Sequence, residues 1–218
     1  MSFISIIDYG SGNIKSVYNA LNHICERRRE KLVVTNDHSE IKKSTHLILP
    51  GVGSFESCIN GLNKTYVKEI LKEKVLENKT PFLGICVGMQ MLATVGHENG
   101  LFSGLNWIKG KVKKIRPIRE NLKIPHMGWN ELQFKRETNF IKELKKKTNL
   151  KNVSAYFVHS YNFFLDNDSE KIVTTNYGQE ITAMVSKLNI IGTQFHPEKS
   201  HNFGLAFLKT FLECEDFS

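Results

Sequence analysis

The residues from Thr80 to Leu92 constrain the fold of this chain more than any other stretch. They read Thr-Pro-Phe-Leu-Gly-Ile-Cys-Val-Gly-Met-Gln-Met-Leu, which predicts a short apolar strand, a sharp turn and the start of a helix. Cys86 lies at the turn, and Gly84 and Gly88 stand on either side of it. This is the spacing of a nucleophile elbow, G-x-C-x-G, in which bulk near the tight backbone would clash. A helix that begins beside the sulfur would favour the thiolate.

A cysteine at the end of an apolar strand is more often a small buried hydrophobic residue than a nucleophile. The other three cysteines of the chain fit that description. Cys86 needs a base, and the candidate is His196, which follows an apolar run predicted to be a strand. Glu198 stands two residues later, where its carboxylate could hold the imidazole in one tautomer. Together the two segments predict a Cys–His–Glu triad.

The composition predicts one globular α/β domain over residues 1–218, with 40% hydrophobic and 24% charged residues. The sequence has no run of about 18 apolar residues, so no membrane span is expected. Its N-terminus lacks the basic segment of a signal peptide. Four irregularly spaced cysteines indicate neither a disulfide framework nor a zinc site. We therefore expect a cytoplasmic protein that binds no metal.

The net charge is +8, and short basic runs stand at 27–29 and 145–147. Nucleic-acid modules usually interleave such runs with aromatic residues or set them in a known motif, and neither applies here. Solvated helix or loop ends are therefore favoured over a nucleic-acid site. A basic face could still meet an acidic partner protein or a phosphorylated substrate. The lysine-rich segment 136–151 carries no assignment.

The apolar pattern predicts an α/β fold with a mostly parallel central sheet, flanked by helices and continued by an antiparallel extension. Up to about residue 95, strands and helices alternate. Strands are predicted there at 3–8, 32–35 and 46–49, and helices at 14–24 and 66–76. Later strands are predicted at 111–115, 130–134, 153–158, 171–175, 181–186 and 190–195, with a final helix at 203–212.

The loop Pro50-Gly51-Val52-Gly53 follows the third predicted strand. Two glycines around one valine permit unusual backbone torsions, and such a loop can turn an N–H group toward a ligand. The loop would stand at the carboxyl edge of a parallel sheet, beside the Cys86 turn. It is therefore predicted to help form an oxyanion hole.

In these features the chain resembles the class I glutamine amidotransferase family. The matching stretches run from end to end, at 8–13, 49–53, 83–90, 125–130, 156–161 and 194–200. The similarity is greatest to the glutaminase subunits that pass ammonia to a (βα)8-barrel cyclase in histidine synthesis. It implies that Cys86 attacks the carboxamide of glutamine, that His196 transfers protons and that Glu198 orients His196.

The resemblance also implies roles for the surrounding residues. The N–H groups of Val52 and Val87 would form the oxyanion hole. Substrate-binding positions are Gly51, Gln90, Glu98, His159, Ser160 and Tyr161. Positions that would face the cyclase are Asn13, Met127, Trp129, Tyr156 and Lys199. The residues before Glu98 are less acidic than is usual in the family, and Trp129 could instead be a core aromatic. No metal or organic cofactor is implied.

Three alternatives remain open. A paralogous amidotransferase that supplies ammonia for a nucleotide-linked sugar in surface-polysaccharide synthesis would carry the same motifs. A γ-glutamyl peptidase on the same fold would hydrolyse its substrate without a partner. A degenerate regulatory subunit would have lost a triad residue, and all three are present.

Overall fold

A computed structural model of the chain describes residues 2–10, 12–117, 122–214 and 216–217. Ser11, which belongs to the matching stretch 8–13, lies outside the described residues. The α-helices within these ranges are α1 (Ile14–Arg28), α2 (His38–Lys43), α3 (Phe55–Lys64), α4 (Val67–Lys72), α5 (Val87–Gln90), α6 (Asn139–Lys147) and α7 (His201–Glu213). The first seven strands are β1 (Phe3–Ile7), β2 (Lys31–Thr35), β3 (His46–Gly51), β4 (Phe82–Cys86), β5 (Val95–Gly96), β6 (Phe102–Ser103) and β7 (Gly110–Lys114). The later strands are β8 (His126–Glu131), β9 (Gln133–Phe134), β10 (Ser154–His159), β11 (Tyr161–Leu165), β12 (Lys171–Asn176), β13 (Glu180–Lys187) and β14 (Ile190–Thr193).

The central sheet has eight strands in the order β2-β1-β3-β4-β14-β13-β12-β9. The first five are parallel neighbours, and β13, β12 and β9 continue the sheet in antiparallel pairs. Every residue of β3 and β4 is buried, as expected for parallel strands that are covered on both faces. The predicted fold class, a mostly parallel sheet with an antiparallel extension, is confirmed.

Two strands predicted for the extension belong to other sheets. The strand predicted at 111–115 is β7, which pairs with β11 and β5 in a four-stranded sheet. The strand predicted at 153–158 is β10, which pairs only with β8 among the described residues. The range 130–134 is divided at Leu132, between β8 and β9. The alternation of buried and exposed residues shows which face of a strand is covered, but long-range register decides its partner.

Several helices differ from their prediction. Helices α2 and α3 were not predicted, although Asp37 and Ser54 cap them by accepting hydrogen bonds from the N–H groups of Glu40 and Ser57. The helix predicted at 66–76 ends at Lys72 and continues as a turn of π-helix. The helix after Cys86 has only four residues, so short apolar segments alone are a weak guide to helix length.

Aromatic packing fixes the end of β14, which leads to His196. Phe195 is fully buried and meets the ring of Phe207 on α7 at 5.6 Å between centroids, and the ring of Phe157 on β10 at 6.0 Å. Both contacts are edge-on, the geometry that aromatic pairs prefer. The residue before His196 is thus clamped between a helix and a strand.

Three parallel strands bring the predicted site together at one edge of the sheet. Gly51 at the end of β3 lies opposite Cys86 at the end of β4, and Thr193 of β14 lies opposite Ile85. The loop after β3, the turn after β4 and the segment after β14 therefore emerge side by side. No helix in the described parts of the chain is long and apolar enough to cross a membrane.

Candidate active site

Cys86 sits in a backbone conformation that few side-chain-bearing residues adopt, with φ 56° and ψ −111°. Neighbouring glycines make the turn possible. A Cβ on Gly84 would lie 2.7 Å from the carbonyl oxygen of Gly88, and a Cβ on Gly88 would lie 1.9 Å from that of Leu49. The strand, the turn and the helix thus meet backbone to backbone, and the strain is held at the sulfur-bearing residue.

The structure brings His196 and Glu198 together as predicted. Nδ1 of His196 and Oε1 of Glu198 are 2.7 Å apart, and both side chains are almost fully buried. The peptide N–H of His196 donates to the carbonyl of Tyr156, and the Ser200 hydroxyl donates to the carbonyl of His196. Because Glu198 occupies Nδ1, Nε2 is the ring atom available to the thiol.

Burial and the neighbouring charges act in opposite directions on His196. Burial alone would lower its pKa, but the Cys86 sulfur and then the Glu198 carboxylate outweigh burial and raise the pKa of His196 to about 10. His196 therefore carries an imidazolium at neutral pH, beside the Cys86 sulfur. A positively charged neighbour of this kind is what activates a catalytic cysteine.

Gln194 is a site residue that the sequence motifs did not identify. Its Nε2 lies 3.5 Å from the Cys86 sulfur, and its Oε1 accepts a hydrogen bond of 2.9 Å from Gln90. Gln90 also donates to the carbonyl of Tyr161 at 3.2 Å. Gln194 is fully buried, two residues before His196. The sequence did contain one signal for Gln194, because a polar residue near the end of an apolar strand becomes buried and its amide then requires hydrogen-bond partners.

The two residues predicted for the oxyanion hole, Val52 and Val87, lie on the wall of one cavity with Cys86. Gly51 does not line that cavity. A Cβ there would lie 2.7 Å from the nitrogen of Gly88, so Gly51 instead allows β3 to approach the Cys86 turn. Gly53, at φ 99°, gives the loop its left-handed bend.

The cavity in front of Cys86 has a volume of about 260 Å³. This is slightly below the range of drug-sized pockets and suits a small amino acid. Its walls include the predicted residues Gln90, Glu98, His159, Ser160, Tyr161 and His196. Gly53, Pro125 and Val158 also line it and were not predicted. These three residues stand within the motifs, but they contribute shape and no reactive group, so the motifs did not mark them as site residues.

Glu98 supplies the cavity with a carboxylate. One of its oxygens accepts a 2.7 Å hydrogen bond from the N–H of Phe55, the first residue of α3. Burial raises the pKa of Glu98, and the Phe55 N–H opposes that shift. The carboxylate is thus held in place from the helix that follows the loop 50–53, and its second oxygen could meet a ligand cation.

Two histidines form a neutral hydrogen-bonded chain beside the cavity. His159 Nδ1 lies 2.8 Å from the carbonyl of Tyr161, and His159 Nε2 lies 2.9 Å from His126 Nδ1. A carbonyl only accepts, so His159 donates from Nδ1 and accepts from His126. Burial lowers the pKa of His159 to about 3 and that of His126 to about 4. The pair therefore stays uncharged at neutral pH.

Four of the residues predicted to face a partner form one surface, which we call the aromatic face: Met127, Trp129, Tyr156 and Lys199, with His201 added by the structure. Met127 is 61% exposed and Trp129 46% exposed, so Trp129 is not a core aromatic. Trp129 stacks on His201 at 4.8 Å between centroids. The Lys199 ammonium lies 5.8 Å from the centre of the Tyr156 ring. The fifth predicted residue, Asn13, is partly exposed and bonds inward.

Other predictions concern charge and metals. Within the described residues, no group of three or more His, Cys, Asp or Glu side chains could hold a metal ion. Of the basic runs, Arg28 pairs with Glu30 at 3.0 Å and Lys147 pairs with Glu213 at 3.1 Å. Carboxylates therefore partly neutralise the two runs.

Comparisons with known proteins found a matching family model and similar sequences. The family model "Glutamine amidotransferase class-I" matches residues 5–213. "Imidazole glycerol phosphate synthase subunit HisH" of Zymomonas mobilis subsp. mobilis is 45% identical over 213 residues, which cover 97% of this chain and 96% of that protein. The subunit of the same name from Pelagibacter ubique is 43% identical over 96% of this chain and 98% of that one.

Solved structures support the fold. The crystal structure of one glutamine amidotransferase has a TM-score of 0.70 and 15% identity, with 96% of this chain and 99% of that chain covered. A glutamine amidotransferase from Thermotoga maritima has a TM-score of 0.65 and 16% identity, with 97% and 83% covered.

Proposed function

The chain belongs to the class I glutamine amidotransferase family, and we propose that it is the glutaminase subunit of an imidazole glycerol phosphate synthase. The observation that carries the proposal is the arrangement of Cys86, His196 and Glu198 at one edge of the sheet, in a chain whose HisH relatives match it over nearly their whole length. The protein would act in the cytoplasm as a single domain and would need no cofactor for glutamine hydrolysis.

The chemistry begins with the thiolate of Cys86, which attacks the carboxamide carbon of glutamine. The carbonyl oxygen becomes an oxyanion, and the N–H groups of Val87 and of the Gly51–Val52 peptide would stabilise it. Imidazolium His196 gives its proton to the leaving nitrogen, which departs as ammonia and leaves a γ-glutamyl thioester. Neutral His196 then takes a proton from water, whose oxygen attacks the thioester and releases glutamate and the thiolate.

Charge complementarity would hold glutamine in the cavity. One oxygen of the Glu98 carboxylate accepts from Phe55, and the other would pair with the α-ammonium group of glutamine. The backbone and side chains of His159, Ser160 and Tyr161 would contact the rest of the molecule on the opposite wall. The neutral His126–His159 chain suits an uncharged carboxamide better than a carboxylate.

The ammonia requires a protected route to its acceptor. In water it would gain a proton and lose its nucleophilicity, so synthesis is efficient only if a partner covers the carboxyl edge of the sheet. The aromatic face is suited to this contact because aromatic anchors such as Trp129 dominate interface energetics. We propose that a (βα)8-barrel cyclase docks there to form a heterodimer and receives the ammonia.

The isolated chain is expected to be a poor glutaminase. The glycines that flank Val52 allow the loop 50–53 to hold its N–H away from the oxyanion at rest. One oxyanion donor contributes about 3–4 kcal/mol, or a factor of about 100 to 1,000 in rate. A ligand-bound partner would shift the loop toward the donor-in state. A lone chain already at full rate would contradict this and favour a stand-alone peptidase.

The decisive test combines this chain with a histidine-pathway cyclase, glutamine and the ribulosyl formimino ribotide substrate. Formation of imidazole glycerol phosphate would support the proposal. A well-folded chain that forms neither complex nor product would overturn it and favour the nucleotide-sugar amidotransferase.

Two variants assign the reaction to the site. Cys86→Ala should abolish glutamine-dependent synthesis, while the cyclase still uses free ammonium at high pH. Cys25→Ala, which changes a buried cysteine on α1, is the matched control and should retain activity. Glutaminase activity in Cys86→Ala would show that the nucleophile is misassigned.

A further inference from the structure

We infer that Asn13, in the turn between β1 and α1, is a positioning residue for the triad carboxylate. Its Nδ2 lies 2.6 Å from Oε1 of Glu198, across 185 residues of sequence. The inference deepens the proposed function, on which it rests, and gives Asn13 an internal role in addition to the partner-facing one predicted from sequence.

Within the described parts of the chain, this hydrogen bond is one of two that hold the carboxylate. Oε1 of Glu198 accepts from Asn13 and from His196, and Oε2 is buried with no hydrogen-bond partner among those residues. An ionised carboxylate only accepts, so the amide of Asn13 must present its NH₂ group. Without Asn13, a fully buried charge would be held by His196 alone, and its rotation would be much less restricted.

The backbone of Asn13 is arranged for this contact. Asn13 is the N-cap of α1, yet its side chain makes no capping hydrogen bond. An N-cap asparagine ordinarily accepts a bond from the first turn of its helix, so this side chain is diverted from a stabilising local role. Its φ of 69° lies in the left-handed region, which asparagine tolerates better than most residues.

The same turn contacts the predicted oxyanion loop. The Tyr9 hydroxyl donates a 2.6 Å hydrogen bond to the carbonyl of Pro50, and a Cβ on Gly12 would lie 3.1 Å from Cγ2 of Val52. The turn thus lies against both the loop 50–53 and Glu198. A displacement of this turn would therefore affect both the oxyanion loop and the triad carboxylate.

The consequence for His196 has a defined direction. Among the described residues, the ionisable groups that interact with its ring are Cys86 at the end of β4, Glu198 on its own segment and His159 on β10. Glu198 helps to raise the pKa of His196 to about 10. If the carboxylate loses its second donor and turns away, the imidazolium is less stabilised. The pKa of His196 should fall, and the Cys86 thiolate should lose part of its counter-ion.

The test compares Asn13→Gly with Asn152→Gly. Glycine keeps the left-handed backbone, so Asn13→Gly removes only the amide. Asn152 is an exposed left-handed asparagine outside the site and serves as the matched control. The readout is the rate at which iodoacetamide alkylates Cys86, followed by mass spectrometry from pH 5 to 11. Melting temperatures of the variants report their folding.

We expect Asn13→Gly to be alkylated about 3- to 10-fold more slowly at neutral pH, with the high-pH limb of the profile moved to lower pH. In the complex with the cyclase, kcat for glutamine should fall about tenfold or more with KM nearly unchanged. Asn152→Gly should match the parent protein in both assays. A shift in the high-pH limb is not expected from a purely structural loss.

A second variant keeps the test decisive if glycine destabilises the fold. Asn13→Ala also lacks the amide donor but keeps a Cβ, so Cys86 should react about as slowly as in Asn13→Gly. Parent-like rates and an unmoved limb in both variants would overturn the inference. Alkylation requires neither glutamine nor a partner, so this result is independent of whether the proposed function is correct.

Discussion

Gly88→Ala is the substitution that most directly tests the backbone packing around Cys86. A Cβ at this position would lie 1.9 Å from the carbonyl oxygen of Leu49 and 3.0 Å from its carbon. The atoms it meets are main chain on β3, so no side-chain rotation can relieve the contact. Strand β3 and the Cys86 turn would have to separate by about 1 Å before the contact became tolerable.

The expected magnitudes follow from that displacement. Overpacking costs about 1–3 kcal/mol and occasionally more, and a contact between two main chains belongs at the upper end. For a chain of this size, about 3 kcal/mol lowers the melting temperature by about 6–12 °C. A misplacement of about 1 Å at a reacting group costs about 100-fold in rate. Gly88→Ala should therefore fold, melt earlier and lose about 100-fold or more of its glutaminase activity.

The matched control is Gly128→Ala on β8. Gly128 has φ 122°, and no heavy atom of the described residues lies within 4 Å of an added Cβ, so alanine there incurs strain without a clash. That strain is worth about 1–3 kcal/mol, similar to the effect expected at Gly88. Calorimetry and Cys86 alkylation by iodoacetamide, both on the isolated chain, separate the two. Both variants should melt earlier, but only Gly88→Ala should lose thiol reactivity. Normal reactivity in a folded Gly88→Ala would refute the backbone argument.

Three further changes test other parts of the structure. Burial lowers the pKa of His46 to about 4, so its contribution to stability is complete above pH 6.5 and is lost as the pH falls toward 4, by about 1.4 kcal/mol per unit. His46→Gln should flatten the decline of the urea midpoint across that window, and an unchanged slope would contradict this. Gln194→Leu removes the N–H near the Cys86 sulfur and should slow alkylation about tenfold, an effect absent if the amide only fills space. Trp129→Ala should weaken cyclase binding by about 2 kcal/mol or more, measured by calorimetric titration, and leave the melting temperature nearly unchanged. Unchanged binding with a lower melting temperature would contradict this.

The reactive residues could be identified from sequence because their chemistry restricts residue type and spacing. The glycines around Cys86 and the two-residue step from His196 to Glu198 are local patterns, and the central parallel strands are apolar runs. A local pattern persists whatever the rest of the chain does. The apolar core of the fold and the candidate triad could therefore be predicted from the sequence.

The remaining features depend on contacts between distant segments. The partner strands of β7 and β10 are set by long-range register, which alternation cannot reveal. The hydrogen bond from Asn13 to Glu198 joins residues near the two ends of the chain. The sequence does not show which way the Asn13 side chain points, so Asn13 was assigned to the partner-facing surface. Gln194 was overlooked for a related reason, since an amide becomes informative only when its partners are known.

The walls of the cavity differ in a way that matters for protein engineering. Behind Cys86 main chain packs against main chain, and Gly51, Gly84 and Gly88 leave no volume in which an added methyl group could be placed without moving a strand. Another part of the lining, formed by Pro125 and residues 158–161, lies at the ends of two small sheets. Redesign toward a longer or differently charged amide should therefore draw its library from Pro125 and residues 158–161. Variants at the three glycines would mostly lose activity through displacement of the Cys86 turn before their selectivity could be scored.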